Sequence, residues 1–227
     1  MRKRNTLLVV AKQPAPGQAK TRLCPPLTAG QSASLYECFL LDTLDLMRAV
    51  EHVERVICHL TEDSRSYFQQ IAPDMQLRRQ HGNSLGERLD HLLTESLAAG
   101  SDGAVVMDSD SPTLPPDYLA QAFSLLTDVD VVIGPTHDGG YYLIGMKQPQ
   151  PPLLREVEMS TPHVLDETLR RARAVGLTVG QLPRWYDVDT ADDLKLLEQE
   201  LFGESRDGRA PATREWLLKH RTLLAMG

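Results

Sequence analysis

Thr6-Leu7-Leu8-Val9-Val10-Ala11 is an apolar run rich in branched residues, with no polar alternation. Such a run predicts a strand covered on both faces, as in a parallel sheet. The period then changes. Thr28-Ala29-Gly30-Gln31 offers a capping box, and Leu35, Phe39, Leu40, Thr43, Leu44 and Met47 follow at helical spacing. Val53 to Leu60 predicts a second strand, Asp63 to Ile71 a helix, and Met75 to Arg79 a short strand. Ser84-Leu85-Gly86-Glu87 is another capping box, opening a stripe of Leu85, Leu89, Leu92, Leu93 and Leu97. Gly103 to Met107 predicts the central strand.

Pro115-Pro116 suits the first turn of a helix through Leu126. Val129 to Gly134 and Tyr141 to Met146 predict strands joined across Asp138-Gly139-Gly140, a connection that favours an antiparallel pair. Thr161-Pro162 opens a helix to Val175, Leu177 to Leu182 predicts a strand, and Thr190-Ala191-Asp192-Asp193 opens a helix to Leu201. A polar linker over Gly203 to Pro211 and an amphipathic helix over Arg214 to Leu224 complete the chain. This alternation predicts an α/β three-layer sandwich with a mixed, mostly parallel sheet over 1–202, followed by the linker and terminal helix over 203–227.

The 227 residues suffice for one large core. A net charge of −7 argues against a broad nucleic-acid footprint, while leaving room for a local basic pocket. The cysteines, Cys24, Cys38 and Cys58, are odd in number and have no close Cys/His cluster, which favours reduced thiols in a cytoplasmic protein over a zinc site. No apolar run reaches the length of a membrane span, and the run after Met1-Arg2-Lys3-Arg4 is too short for a signal-peptide core.

Ligands of open α/β sheets sit at the carboxyl ends of strands, and three polar motifs fall there. Pro14-Ala15-Pro16-Gly17-Gln18-Ala19-Lys20-Thr21-Arg22 follows the first strand. Gly17 lets backbone amides approach an anion, Lys20 supplies a point charge, and Arg22 a planar fork for phosphate oxygens. It is not a Walker A loop, because Gly-Lys-Ser/Thr is absent. Asp108-Ser109-Asp110-Ser111-Pro112 follows the central strand, and Asp187-Val188-Asp189-Thr190 opens the helix after the last strand. Such carboxylates suit Mg²⁺ or Mn²⁺. The residues alone leave alternatives open: a solvated loop for the first motif, a turn for the second, and a helix cap by Asp189 or Thr190 for the third. Asp138-Gly139-Gly140-Tyr141-Tyr142 reads equally as an acceptor contact or as a hairpin turn between core tyrosines, and Gly86 and Arg88 as a base contact or a plain helix start. Neither a Gly-x-Ser-x-Gly elbow nor a Gly-x-Gly-x-x-Gly fingerprint is present, so a serine hydrolase and an ordinary NAD dehydrogenase are poorly supported.

The order of these motifs resembles the DUF2064 family of the GT-A-like nucleotide-diphospho-sugar transferase superfamily. The resemblance is carried by Ala11-Lys12-x-Pro14-x-Pro16-Gly17-x-x-Lys20-Thr21-Arg22-Leu23, Ser84 to Arg88, Asp108 to Pro112, Asp138 to Gly145, Ser160-Thr161-Pro162 and Asp187 to Thr190. It spans about residues 5 to 200. Ala19 to Leu23 is similar to the phosphate loop of 2-phospho-lactate guanylyltransferases, and the Asp110-x-Pro112 and Asp187 to Thr190 pair resembles metal positions of sugar-acid cytidylyltransferases. The resemblance implies a GT-A-like domain and a metal-dependent transferase that draws on a nucleotide-activated donor and a small-molecule acceptor. Glycosyl transfer, nucleotidyl transfer with release of pyrophosphate, and a non-catalytic nucleotide-binding module all remain open. By the same carry-over, Asp110 and Asp189 hold Mg²⁺ or Mn²⁺, and Lys20, Arg22 and Asp110 carry the chemistry. Ala11, Lys12, Gly17, Gly86, Arg88 and Asp108 join Lys20 and Arg22 around the nucleotide, while Asp138, Gly139, Gly140 and Tyr141 face the acceptor. Two positions depart from the family pattern: Met107-Asp108 replaces small residues, and Met159 stands where many members carry Trp.

Overall fold

The computed structural model describes residues 4–203 and 208–224. Among these lie seven strands and eight helices. In chain order they are β1 (Asn5–Ala11), α1 (Ala29–Ala49), β2 (Val53–His59), α2 (Arg65–Ile71), β3 (Gln76–Arg79), α3 (Leu85–Ala98), β4 (Gly103–Met107) and α4 (Pro116–Leu125). There follow β5 (Val131–Pro135), β6 (Tyr141–Met146), α5 (Pro152–Arg155), α6 (Val164–Ala174), β7 (Val179–Gln181), α7 (Ala191–Phe202) and α8 (Pro211–Leu224). No described helix is long and apolar enough to cross a membrane.

The strands form one sheet in the order β3-β2-β1-β4-β6-β5-β7. Parallel pairs join β1 to β2 and β4, β2 to β3, and β5 to β7. Strand β6 alone runs antiparallel to its neighbours β4 and β5. The sheet is therefore mixed and mostly parallel, as the unbroken apolar runs of β1 and β4 predict. Alternation along β1 sends Leu7 and Val9 into one core with Leu44 of α1, Phe68 of α2 and Leu119 of α4. Leu8 enters the opposite core with Leu92 of α3, Leu154 of α5 and Leu165 of α6. Helices on both faces give three layers, and each fully buried leucine contributes about 1.5–3 kcal/mol relative to exposure. A third cluster joins α1, α7 and α8 through Phe39, Leu197, Trp216 and Leu217 and extends under Leu23 of the loop after β1. That loop thus rests on packed side chains.

The capping signals resolve unevenly. Thr28 and Gln31 form the full reciprocal box, and Thr190 forms one with Asp193. At Ser84 only half forms: its hydroxyl accepts from Glu87 N–H, but the Glu87 carboxylate accepts from Asn83 N–H instead. Helix α6 begins at Val164 rather than at Thr161, with His163 as its N-cap and Ser160 in a left-handed backbone (φ 64°). Strand β5 starts at Val131, since Val129 N–H still bonds to Leu125 O at the end of α4. The short α5 follows the proline run before it and was not predicted. Of the predicted linker Gly203 to Pro211, residues 204–207 lie outside the described residues.

Candidate active site

The parallel strands β1 and β4 end side by side, with Val9 paired to Met107. Strand β6, running the other way, starts at that same edge, where Leu143 pairs with Met107. The segments after Ala11, after Met107 and before Tyr141 are therefore brought to one mouth by topology alone.

Lys20 is the hinge of this mouth. Its backbone is left-handed (φ 49°), and the Ser32 hydroxyl on α1 bonds to both the Ala19 and the Lys20 carbonyls, at 3.1 and 2.6 Å. Held so, Lys20 Nζ lies 2.8 Å from Asp110 Oδ1 and 2.7 Å from Asp189 Oδ1, with its side chain 5% exposed. Burial alone would lower the pKa of this ammonium, but the two carboxylates outweigh it and hold the value above its ordinary range. Asp189 is half-buried, which would raise its pKa, yet Lys20 and then Arg22 pull it below the usual carboxylate range. Arg22 Nη1 reaches Asp189 Oδ2 at 3.4 Å from an exposed side chain.

Asp189 arrives beside Asp110 because Val188 N–H donates to the Asp110 carbonyl at 2.9 Å. Thr190, not Asp189, caps α7. The Asp189 carboxylate is thereby left to face Lys20. Asp108 turns back on its own loop, its Oδ1 accepting from Asp110 N–H at 3.0 Å. Burial first, and then the nearby Asp110, push the Asp108 carboxyl well above its ordinary value. Asp187 rises to about 6, chiefly from burial and then from Asp138 and Asp189.

Two chambers meet at this acidic seam. One, about 500 Å³, is lined by Lys12, Lys20, Arg22 and Arg88, together with Ala11, Asp108 and Asp110. The Arg88 Nε is buried without a hydrogen-bond partner in the described structure. The other chamber, about 480 Å³, carries Asp138, Gly140, Tyr141 and Asp187 beside apolar walls. Arg22, Asp108, Asp110 and Asp189 line both.

Three predicted site residues line neither chamber: Gly17, Gly86 and Gly139. A Cβ on Gly86 would stand 2.0 Å from the Leu154 carbonyl oxygen, so the absent side chain lets α3 and α5 pack closely. Gly139 has φ +93°, and its N- and C-terminal neighbours pin the turn: Asp138 Oδ1 accepts from Gly140 N–H, and Gly139 O accepts from Leu165 N–H. The sequence reading did not single out Tyr36 or Gln80, and it gave Asp187 no role of its own beside Asp189. The buried Tyr36 hydroxyl accepts from Lys12 N–H at 3.2 Å and shares a hydrogen bond of 2.9 Å with Ser109 Oγ, tying the ends of β1 and β4 together. Gln80 Nε2 donates to Cys58 O, which orients its amide at the wall of the basic chamber. A signal existed only for Asp187, in the Asp-x-Asp spacing it shares with Asp189.

Comparison with known proteins places this geometry in a family. Residues 43–161 match DUF2064, described as "Uncharacterized protein conserved in bacteria". No curated protein matches the chain. Among solved structures, a "putative nucleotide-diphospho-sugar transferase" from Desulfovibrio desulfuricans G20 is 31% identical, with a TM-score of 0.90 over 98% of this chain and 97% of that one. The CMP:2-keto-3-deoxy-manno-octonic acid synthetase complexed with CTP is 12% identical, with a TM-score of 0.58 over 89% of this chain and 100% of that one. Rv0371c from Mycobacterium tuberculosis H37Rv, in complex with manganese, is 16% identical, with a TM-score of 0.52 over 86% and 97%. The last two are similar in fold alone. The chain belongs to the DUF2064 family and has the nucleotide-diphospho-sugar transferase fold.

Proposed function

We propose that the chain is a metal-dependent transferase that uses a nucleotide-activated donor, in the first place a nucleotide-diphospho-sugar. The observation that carries this reading is the Lys20 ammonium held between Asp110 and Asp189 where a basic and an acidic chamber meet. A diphosphate in the basic chamber would meet Lys12, Arg22 and Arg88 and end at the seam, against the second chamber. The 31% identical relative, with its sugar-nucleotide name, supports the same class of donor. We assign the reaction to the cytoplasm.

The donor set fits a hard divalent cation. Asp110 and Asp189 present oxygens toward one point that already attracts positive charge, and both carboxylates are about a third exposed. Among the described residues there is no group of three or more His, Cys, Asp or Glu side chains able to hold a metal. Mg²⁺ and Mn²⁺ need only one or two carboxylates from the protein and complete their shell with phosphate and water. Bound there, the ion would neutralise charge on the donor's phosphate oxygens. The manganese complex of the M. tuberculosis protein supports a divalent ion in this fold.

The protein's own groups divide the remaining work. Arg22, exposed and forked, grips two phosphate oxygens; Lys20 donates to the leaving phosphate as charge grows on it. The Tyr36 bridge holds Lys12 and Ser109 at a fixed separation while this happens. No covalent enzyme intermediate is needed. A second reading, nucleotidyl transfer from an NTP, draws support from the number of basic side chains in the first chamber, which suits a triphosphate.

Thermal-shift screening of NTPs and sugar nucleotides, with and without Mg²⁺ or Mn²⁺, separates the readings, because bound ligand raises apparent stability by mass action. Stabilisation by a UDP- or GDP-sugar is expected. Stabilisation by GTP or CTP alone would move the assignment to nucleotidyl transfer. A nucleotide shift without metal dependence or turnover would leave a binding module.

A further inference from the structure

The second chamber differs in kind from the first. Its floor and walls are apolar: Leu89 of α3, Ile144 of β6, Met159 and Val164 line it. Among its lining residues the basic one is Arg22, which stands at the seam and lines the other chamber as well. Acidic groups line it as well, with Asp138 and Asp187 in addition to Asp108, Asp110 and Asp189. Asp138 is exposed, and its Oδ1 already accepts from Thr136 Oγ1 and Gly140 N–H. Its Oδ2 is left for a ligand donor.

From this contrast, and resting on the transferase reading above, we infer that the second chamber takes an unphosphorylated small molecule with an apolar body, which presents a hydroxyl or ammonium group to Asp138. A phosphate on the acceptor would lie beside Asp138 and Asp187, and the cationic groups at the seam, Arg22 and Lys20, are those the donor's phosphates engage, so the chamber selects against a second phosphate as much as it selects for a donor group. A volume of about 480 Å³ is within the range of small-molecule sites. The apolar wall supplies affinity, and Asp138 supplies orientation toward the seam. The inference also bears on the reaction: transfer to a hydroxyl or amine fits this chamber, and joining a nucleotide to a phosphate monoester does not.

Three probes of equal bulk test it on the full chain with EDTA present: 2-phenylethylamine, 2-phenylethanol and phenyl phosphate. The readout is the ¹³C-labelled methyl resonance of Met159, identified with Met159→Leu. The amine and the alcohol should move this resonance at concentrations at least tenfold below any effect of phenyl phosphate. Asp138→Asn keeps an acceptor oxygen for Thr136 and Gly140, so the turn should persist; it should weaken the amine at least fivefold and leave the alcohol nearly unchanged. A Met159 methyl moved by phenyl phosphate as readily as by the amine, or by none of the three, overturns the inference, and so does an amine affinity indifferent to Asp138→Asn. Nucleotide binding is measured apart, by thermal shift without probes. Its failure would remove the donor assignment while the Met159 result stands, and the converse holds equally.

Discussion

Lys20 Nζ and Asp189 Oδ1 lie 2.7 Å apart although 169 positions separate them in the chain. The pair closes the loop after β1 onto the segment before α7, and through Lys20 it draws in Asp110 at 2.8 Å. An ammonium with 5% of its side chain exposed is stable there only because two carboxylates face it.

Replacing Lys20 by Met should therefore act on stability and binding together. The carboxylates would face one another with only the exposed Arg22, 3.4 Å from Asp189, as a counter-charge, at a cost of about 1–3 kcal/mol, kept modest because both reach solvent. Nucleotide affinity, measured by calorimetry, should fall at least tenfold. Addition of Mg²⁺ should raise the melting temperature of Lys20→Met more than that of the wild type, since the ion then meets no ammonium between the two carboxylates.

Asp110→Asn and Asp189→Asn should each remove most of the metal-dependent rise in melting temperature seen with nucleotide, with circular dichroism unchanged. If both variants keep the full metal dependence, neither residue is a ligand of the ion.

Asp187 offers a pH test in chelated protein. Its folded value of about 6 lies above the usual carboxylate range, so the folded state binds the proton more tightly than the unfolded one. Stability from this group is present at low pH and is lost as pH rises toward and through 6. Asp187→Asn should thus stabilise the protein at pH 7.5 by on the order of 1 kcal/mol, after allowance for partial solvation, and by much less at pH 4. Denaturant melts at the two pH values measure this difference, and an equal gain at both would count against a raised Asp187.

Gly86→Ala should destabilise without touching charge. The new methyl would meet the Leu154 carbonyl at 2.0 Å, and that atom is backbone that cannot turn aside. Separation of α3 from α5 should cost about 1–3 kcal/mol in urea unfolding. A variant as stable as the wild type would mean that α5 moves away freely.

The apolar run Thr6 to Ala11 predicted a buried parallel strand and Gly103 to Met107 the central strand, and both appear with nearly those bounds. Local signals sufficed because period and capping are properties of neighbouring residues: Thr28 finds Gln31 three positions on, whatever the rest of the chain does. The order of motifs likewise pointed to the family. The same local logic failed where two partners competed for one group, as at Glu87, which bonds to Asn83 rather than to Ser84.

What the sequence determined by itself was the alternation of strands and helices, the residue types at strand ends and the family that shares them. Tertiary structure alone decided that Asp189 faces Lys20 while Thr190 caps the helix, that Tyr36 ties Lys12 to Ser109, and that Lys12 and Arg88 line one chamber while Asp138 and Asp187 line the other. The reason is physical: period and capping act over a few bonds, whereas the field at a carboxyl group depends on which distant charges the sheet order brings within a few ångströms of it.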